Sequence, residues 1–150
     1  MVFVATWMDD LIFFFNDFEL QKKIKLKLTN HFHMKDLGET NQILGIRISR
    51  DKEAGVIWID QETFVDELLK RFNMEDCNTA MTPFDHNQKL TKDMCPKNDK
   101  ERENMSNVPY MSAVGSLVYA AQVTRPDIGY PVNVVSRFCS NPGRVQEERE

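Results

Sequence analysis

Two carboxylates side by side, Asp9 and Asp10, separate two strongly apolar runs, Val2-Phe3-Val4-Ala5-Thr6-Trp7 and Leu11-Ile12-Phe13-Phe14-Phe15. A turn often holds one Asp, whose side chain bonds the local backbone. Two adjacent ones repel each other, and sheltering either from water among apolar strands is costly. A divalent cation removes both difficulties. Mg2+ takes one or two carboxylates and completes its shell with water and phosphate oxygens. In two-metal sites such ions activate an attacking hydroxyl and stabilise the leaving oxygen. The other reading of the same residues is a solvent-exposed turn with no chemistry.

The remaining reactive residues form no comparable set. His31 and His33 stand two apart, so on a helix they point to different faces and read as surface residues. Cys77, Cys95 and Cys139 are scattered and contain no CxxC pair, which excludes a disulfide framework and fits a reducing compartment. Ser112 and Ser116 lack His and Asp partners at a recognisable spacing. Arg125-Pro126-Asp127 reads as a helix junction. A Gly-rich phosphate loop is absent from the sequence.

The acidic pair must be positioned by the elements around it. The two apolar runs read as strands, and only Met8-Asp9-Asp10 lies between them, so a tight hairpin is expected. Both strands are apolar on both faces, which predicts a sheet covered on at least one side. A helix should follow, with Asn16 as N-cap, Glu19 completing a capping box, and Phe15 stapled to Leu20. Leu20, Ile24, Leu28 and Phe32 give it one apolar stripe.

Residues 42–50 read as a third strand, Glu53-Ala54-Gly55 as a turn, and Val56-Ile57-Trp58-Ile59 as a fourth strand. Asp60 should cap a helix whose apolar set is Phe64, Val65, Leu68, Leu69 and Phe72. The polar stretch 77–109 is punctuated by Pro83, Pro96 and Pro109 and reads as a long loop with a short helix over 99–105. A helix over 110–123 should bury Met111, Val114, Leu117, Val118 and Ala121. A last helix over 128–139 should be capped by Asp127, with Pro131 costing it an early hydrogen bond.

The 150 residues are 41% hydrophobic and 28% charged, values of an ordinary globular chain. The net charge of −4 excludes a uniformly basic nucleic-acid binder but hides an asymmetry. Residues 1–20 hold only acids, Asp9, Asp10, Asp17 and Glu19. Residues 21–50 hold Lys22, Lys23, Lys25, Lys27, Lys35, Arg47 and Arg50 against Asp36 and Glu39. Such a block is either a solvated helix face or a surface for phosphates. No apolar run approaches the ~20 residues that cross a bilayer, and no membrane role is expected.

The motifs in series resemble a known family. Trp7-Met8-Asp9-Asp10 has the aromatic-X-Asp-Asp form of reverse transcriptases. It is followed in order by Met34-Lys35-Asp36-Leu37-Gly38-Glu39, Leu44-Gly45-Ile46-Arg47-Ile48 and Arg71-Phe72-Asn73-Met74-Glu75-Asp76-Cys77. Thr82-Pro83, Val108-Pro109-Tyr110, Ser112-Ala113-Val114-Gly115-Ser116-Leu117, Thr124-Arg125-Pro126-Asp127-Ile128 and Ser136-Arg137-Phe138 complete the series. Together they are similar to the copia-type LTR-retrotransposon reverse transcriptase of a Pol polyprotein. The chain departs from that pattern at Trp7, where the family has Tyr, at the unbroken Phe13-Phe14-Phe15, and at Pro131.

The resemblance implies an α+β fold: a partial polymerase palm of antiparallel hairpins with packed helices, then a helical thumb or connection region. It divides the chain into a partial palm with a primer-grip-like hairpin (1–76), a linker loop (77–109), a thumb-like segment (110–140) and a frayed tail (141–150). Asp9 and Asp10 would be two of the family's three metal-binding carboxylates, with Asp9 the direct ligand of Mg2+ or Mn2+. Trp7 and Met8 would lie beside the primer terminus and nucleotide. Leu44, Gly45 and Ile46 would hold the primer, and Lys22, Lys23, Lys25 and Lys27 would meet the nucleic-acid backbone.

The implied reaction is RNA-directed DNA synthesis, with an RNA template, a DNA primer and deoxynucleotide triphosphates as partners. The rest of the polyprotein (integrase, upstream palm and fingers, RNase H) would be a partner too. The implied setting is a cytoplasmic virus-like particle with a nuclear phase. The family's first catalytic Asp and its fingers belong upstream of the region matched, so the chain is expected to be inactive by itself. The alternative function is a non-enzymatic nucleic-acid-binding or interaction remnant of a transposon.

Overall fold

A computed structural model describes residues 1–84 and 89–143; residues 144–150 of the expected tail lie outside the described residues. The fold is α+β, with small antiparallel sheets and, among the described residues, five α-helices. None of those helices is long and apolar enough to cross a membrane. The chain divides into two compact units, Met1–Ile43 and Leu44–Glu150.

In the first unit β1 (Val2–Trp7) pairs antiparallel with β2 (Asp10–Phe15), in a register running from Val2 opposite Phe15 to Trp7 opposite Asp10. Cross-strand pairs such as Phe3 with Phe14 and Val4 with Phe13 are the contacts that favour this register. Helix α1 (Phe18–His31) follows, then the two-residue strand β3 (Gln42–Ile43).

The cap of α1 is Asp17, not Asn16. Its Oδ1 accepts from the backbone N–H groups of Glu19 and Leu20 at 3.0 and 3.1 Å. Asn16 is used elsewhere, its Oδ1 accepting from the N-terminal ammonium at 2.7 Å. The one-residue shift replaces the expected Phe15–Leu20 staple by an edge-on contact of the Phe15 and Phe18 rings, 5.5 Å apart. The expected sheet cover is not found within this unit. No described residue of the unit is buried, and Phe3, Trp7 and Phe14 are exposed. A two-stranded ribbon with one helix has too little surface to enclose its own aromatics.

In the second unit β4 (Ile46–Asp51) pairs with β5 (Val56–Asp60), from Arg47 opposite Asp60 to Asp51 opposite Val56. The expected strand over 42–50 is therefore interrupted: Leu44 and Gly45 have φ of 51° and 75°, values no strand residue adopts. Asp51 closes the β4–β5 turn, its Oδ1 accepting from Glu53 and Ala54 N–H at 3.0 and 2.9 Å. Gly55 turns the chain back with φ of 66°.

Helix α2 (Glu62–Arg71) begins beside Asp60, whose Oδ1 accepts from Glu62 N–H at 3.2 Å. Arg47 ties strand to helix, donating to Asp60 Oδ2 at 2.9 Å and to Glu62 Oε2 at 2.5 Å. At its other end α2 closes with Asn73 in the left-handed region (φ 56°). There Met74 N–H bonds Leu69 O at 2.8 Å and Asn73 N–H bonds Lys70 O at 3.2 Å, the paired bonds of a Schellman cap.

Helix α3 (Asp99–Met105) lies where the short helix is expected, capped reciprocally by Asn98 and Glu101. Helices α4 (Tyr110–Val123) and α5 (Gly129–Ser136) hold the core: Tyr110, Val114, Ala120, Val132 and Val135, with Met105 and Phe138. Tyr110 donates its hydroxyl to Val135 O at 2.9 Å across the two helices. Met111, expected inside, is exposed, because Tyr110 takes the inward position at the start of α4.

The last helix starts at Gly129 and stops at Ser136, shorter than 128–139. Asp127 is held instead by Arg125, whose Nη2 and Nε reach its carboxylate at 2.7 and 2.9 Å over a 3-10 turn. Pro131 falls in the first turn of α5, where its missing N–H has no intrahelical partner to lose.

Two expectations follow. Arg47 holds Asp60, Lys25 holds Asp36 and Arg125 holds Asp127 below the usual carboxylate range, in each case first through the side-chain hydrogen bond. A carboxylate whose folded pKa is depressed lends stability above its unfolded pKa of about 3.9 and loses it as pH falls through the folded value. Thermal melts should be level down to about pH 5 and decline below pH 4; Arg47→Met should flatten that decline. Separately, Tyr110→Phe should cost about 1 kcal/mol in urea unfolding by removing a buried hydrogen bond to Val135 O, which keeps its bond from Phe138 N–H. Met111→Ala should stay within about 0.5 kcal/mol.

Candidate active site

The β1–β2 hairpin brings Trp7, Met8, Asp9 and Asp10 to one tip, all four exposed. Trp7 and Asp10 are the last facing pair, so Met8 and Asp9 alone make the connection. A two-residue connection between right-twisted strands needs positive φ at its first central position or at both. Met8 meets that need with φ of 49° and is 90% exposed. Glycine does this freely, whereas a side chain there costs about 1–2 kcal/mol. Strain of this kind persists where neighbouring structure enforces it, and it is characteristic of functional turns.

Among the described residues neither the Asp9 nor the Asp10 carboxylate has a hydrogen-bond or ion-pair partner, and no group of three His, Cys, Asp or Glu side chains could together hold a metal. Two open carboxylates on adjacent residues nevertheless fit a hard cation, which takes one or two carboxylates and leaves its other positions to water and phosphate. The donor set suits Mg2+ or Mn2+ and, lacking nitrogen or sulfur, does not suit zinc.

The four lysines of α1 are not equivalent. Lys25 is committed to Asp36, Nζ to Oδ2 at 2.7 Å, and Asp36 also accepts from Gly38 N–H. Lys22 meets Glu19 at 3.5 Å, with both side chains well exposed. Lys23 and Lys27 are exposed, four residues apart on one helix face, and make no ion pair among the described residues. His31 donates from Nδ1–H to the Lys27 carbonyl, 2.8 Å away.

Leu44, Gly45 and Ile46 belong to the second unit, and residues missed in the sequence position them. The Tyr119 hydroxyl on α4 donates to the Leu44 carbonyl. The Tyr119 ring meets Phe64 of α2 edge-on at 5.1 Å. A Cβ built on Gly45 would stand 3.8 Å from the Phe64 side chain, so the turn rests on that ring. Nearby in the same unit, the buried Gln61 accepts from the Thr124 hydroxyl at 2.7 Å. A tyrosine inside an apolar helix signals a hydroxyl in need of a partner, but its partner 75 residues away has no local signature.

The hairpin thus presents two adjacent exposed carboxylates at a strained two-residue connection, in a small α+β frame. Residues 1–86 match the family model of the reverse transcriptase (RNA-dependent DNA polymerase). The chain belongs to the reverse transcriptase family, in its copia-type retrotransposon branch.

It is 44% identical over 147 residues to the retrovirus-related Pol polyprotein from transposon TNT 1-94 of Nicotiana tabacum, covering 98% of this chain and 11% of that protein. It is 32% identical over 142 residues to the Pol polyprotein from transposon RE1 of Arabidopsis thaliana, covering 95% of the chain and 9% of the relative. A putative transposon Ty5-1 protein of Saccharomyces cerevisiae is 27% identical over 148 residues, which is 98% of the chain and 46% of that protein. The chain thus spans about a tenth of the two Pol polyproteins and under half of the yeast protein. No solved structure matches.

The hairpin strain is measurable. Met8→Asn, which tolerates the left-handed region, should strengthen the tip by about 0.5–1 kcal/mol, and the β-branched Met8→Val should weaken it. Cross-strand NOE intensity between Trp7 and Asp10 would report both changes.

Proposed function

We propose that this chain carries the metal-binding hairpin and a primer-holding turn of an RNA-directed DNA polymerase, within a copia-type Pol polyprotein. The observation that carries the reading is the open Asp9–Asp10 pair on the strained tip between Trp7 and β2. Bound Mg2+ or Mn2+ would supply charge stabilisation to the reacting phosphate and its leaving group. Asp9 is the direct ligand, Asp10 the second carboxylate, and Trp7 and Met8 flank the primer end and the incoming deoxynucleotide triphosphate.

The residues up to 76 form part of a polymerase palm, residues 77–109 link it onward, and residues 110–140 form a thumb-like segment. In the intact enzyme the primer 3′-hydroxyl, losing its proton to solvent, attacks the α-phosphate as the bond to the β-phosphate breaks and pyrophosphate leaves, with an RNA template and the remaining polyprotein domains as partners. The work takes place in a cytoplasmic particle.

The isolated chain is inactive under this reading. The family's site uses three carboxylates, and Asp9 and Asp10 alone do not fix the in-line geometry. Primer extension by the purified chain on poly(rA) with a DNA primer should give no incorporation above a no-protein control; clear incorporation would overturn that statement.

Binding survives the loss of catalysis, and the unpaired Lys23 and Lys27 favour it. Lys23→Ala and Lys27→Ala should each weaken binding to an RNA–DNA hybrid and lower the slope of log K against log salt by about 0.9. Lys25→Ala should leave that slope unchanged, because its charge already serves Asp36. Loss of all hybrid binding at low salt would leave a non-enzymatic interaction remnant as the reading.

A further inference from the structure

We propose that Tyr119 is a positioning residue for the nucleic-acid-facing turn Leu44–Gly45, acting through its hydroxyl on the Leu44 carbonyl. The inference rests on the reading that this turn holds the primer strand. Leu44 and Gly45 are consecutive left-handed residues, φ 51° and 75°, the backbone of a type I′ turn. Such turns are ordinarily built from Asn and Gly, and a leucine at the first position needs an outside constraint.

Tyr119 supplies it. Its hydroxyl donates to the Leu44 carbonyl and its ring lies edge-on to Phe64 at 5.1 Å. Gly45 lies over the same Phe64 side chain, 3.8 Å from the place a Cβ would take. The peptide joining Leu44 to Gly45 is thereby held from two sides, by a hydrogen bond from α4 and by a ring from α2. Leu44 itself stays 45% exposed, so the held turn presents its outer side to whatever binds there.

Because Ile46 begins β4 directly after Gly45, the direction of the turn also sets where that strand starts. The hydroxyl acts on geometry and touches no reacting group.

The test is Tyr119→Phe, which keeps the ring and removes only the donor. With a fluorescein-labelled RNA–DNA hybrid as probe, affinity should fall roughly fivefold, the loss of about one neutral hydrogen bond. The Leu44 carbonyl carbon and Gly45 amide resonances should shift in the free protein. Val114→Ala, which loosens the core without touching the turn, should keep wild-type affinity well below its melting temperature; a general loss of stability would weaken both variants alike. Unchanged Leu44 and Gly45 resonances, or wild-type affinity in Tyr119→Phe, overturn the inference while leaving the functional reading in place. Failure of the wild-type chain to bind the hybrid overturns the primer-holding reading and the inference together.

Discussion

The packing of α4 against α5 about Tyr110 and Val114 is where this chain takes its side chains most fully out of water. The second unit is organised from that contact outward. Tyr110 bonds across to Val135, and about two and a half turns further along α4 the Tyr119 hydroxyl reaches the Leu44 carbonyl. At the end of α4 Thr124 reaches the buried Gln61 at the entry to α2. One helix thus holds a core partner, the Leu44–Gly45 turn and the start of α2 at successive heights. A buried hydrogen-bonded tyrosine fixes helix register more sharply than aliphatic packing alone, because a hydrogen bond is directional.

Around this frame the backbone departs from ordinary geometry at a few chosen places. Met8, Leu44 and Asn73 are the non-glycine residues with positive φ among those described. Asn73 is the least costly, since its short amide tolerates the left-handed region and the Schellman bonds of α2 use it. Met8 and Leu44 carry larger side chains and no such excuse. Both stand at turns that the proposed function places beside the substrate strand, which is where stored backbone strain is expected to concentrate.

Much of this was legible in the residues. The β1–β2 hairpin follows from two β-rich runs with too few residues between them for anything but a tight turn. Helix α4 matches the expected bounds, Tyr110–Val123, because proline precedes it and its apolar content leaves no other element plausible. The misreadings have physical causes. Asn16 and Asp17 are equally good caps by residue type, and Asp17 is the one whose Oδ1 accepts from Glu19 and Leu20 N–H. The interruption at Leu44 is invisible because leucine seldom adopts positive φ, so a strand was the natural expectation. Met111 and Tyr110 differ by one helix step, and periodicity does not resolve which of two adjacent apolar residues faces inward. The pairing of Lys25 with Asp36, and of Tyr119 with Leu44, joins residues whose spacing carries no helical or strand period.

The contrast between the two units bears on how the acidic tip can work. The second unit has buried residues and hydrogen bonds that fix its turns; the first has none buried, and its strands leave Phe3, Trp7 and Phe14 in water. A metal-binding carboxylate pair acts through position, and position is held by packed neighbours and by hydrogen bonds to the ligands themselves. At this tip the only local constraint is the backbone, a two-residue connection that forces Met8 into the left-handed region and sets Asp9 and Asp10 on consecutive residues. That suffices to keep the two carboxylates adjacent and open to a cation. It does not orient their oxygens, which have no partners among the described residues. Under the proposed metal-binding role, the orientation of these oxygens would be set by the cation and its phosphate ligands, so that the hairpin presents the acids and their ordering accompanies binding.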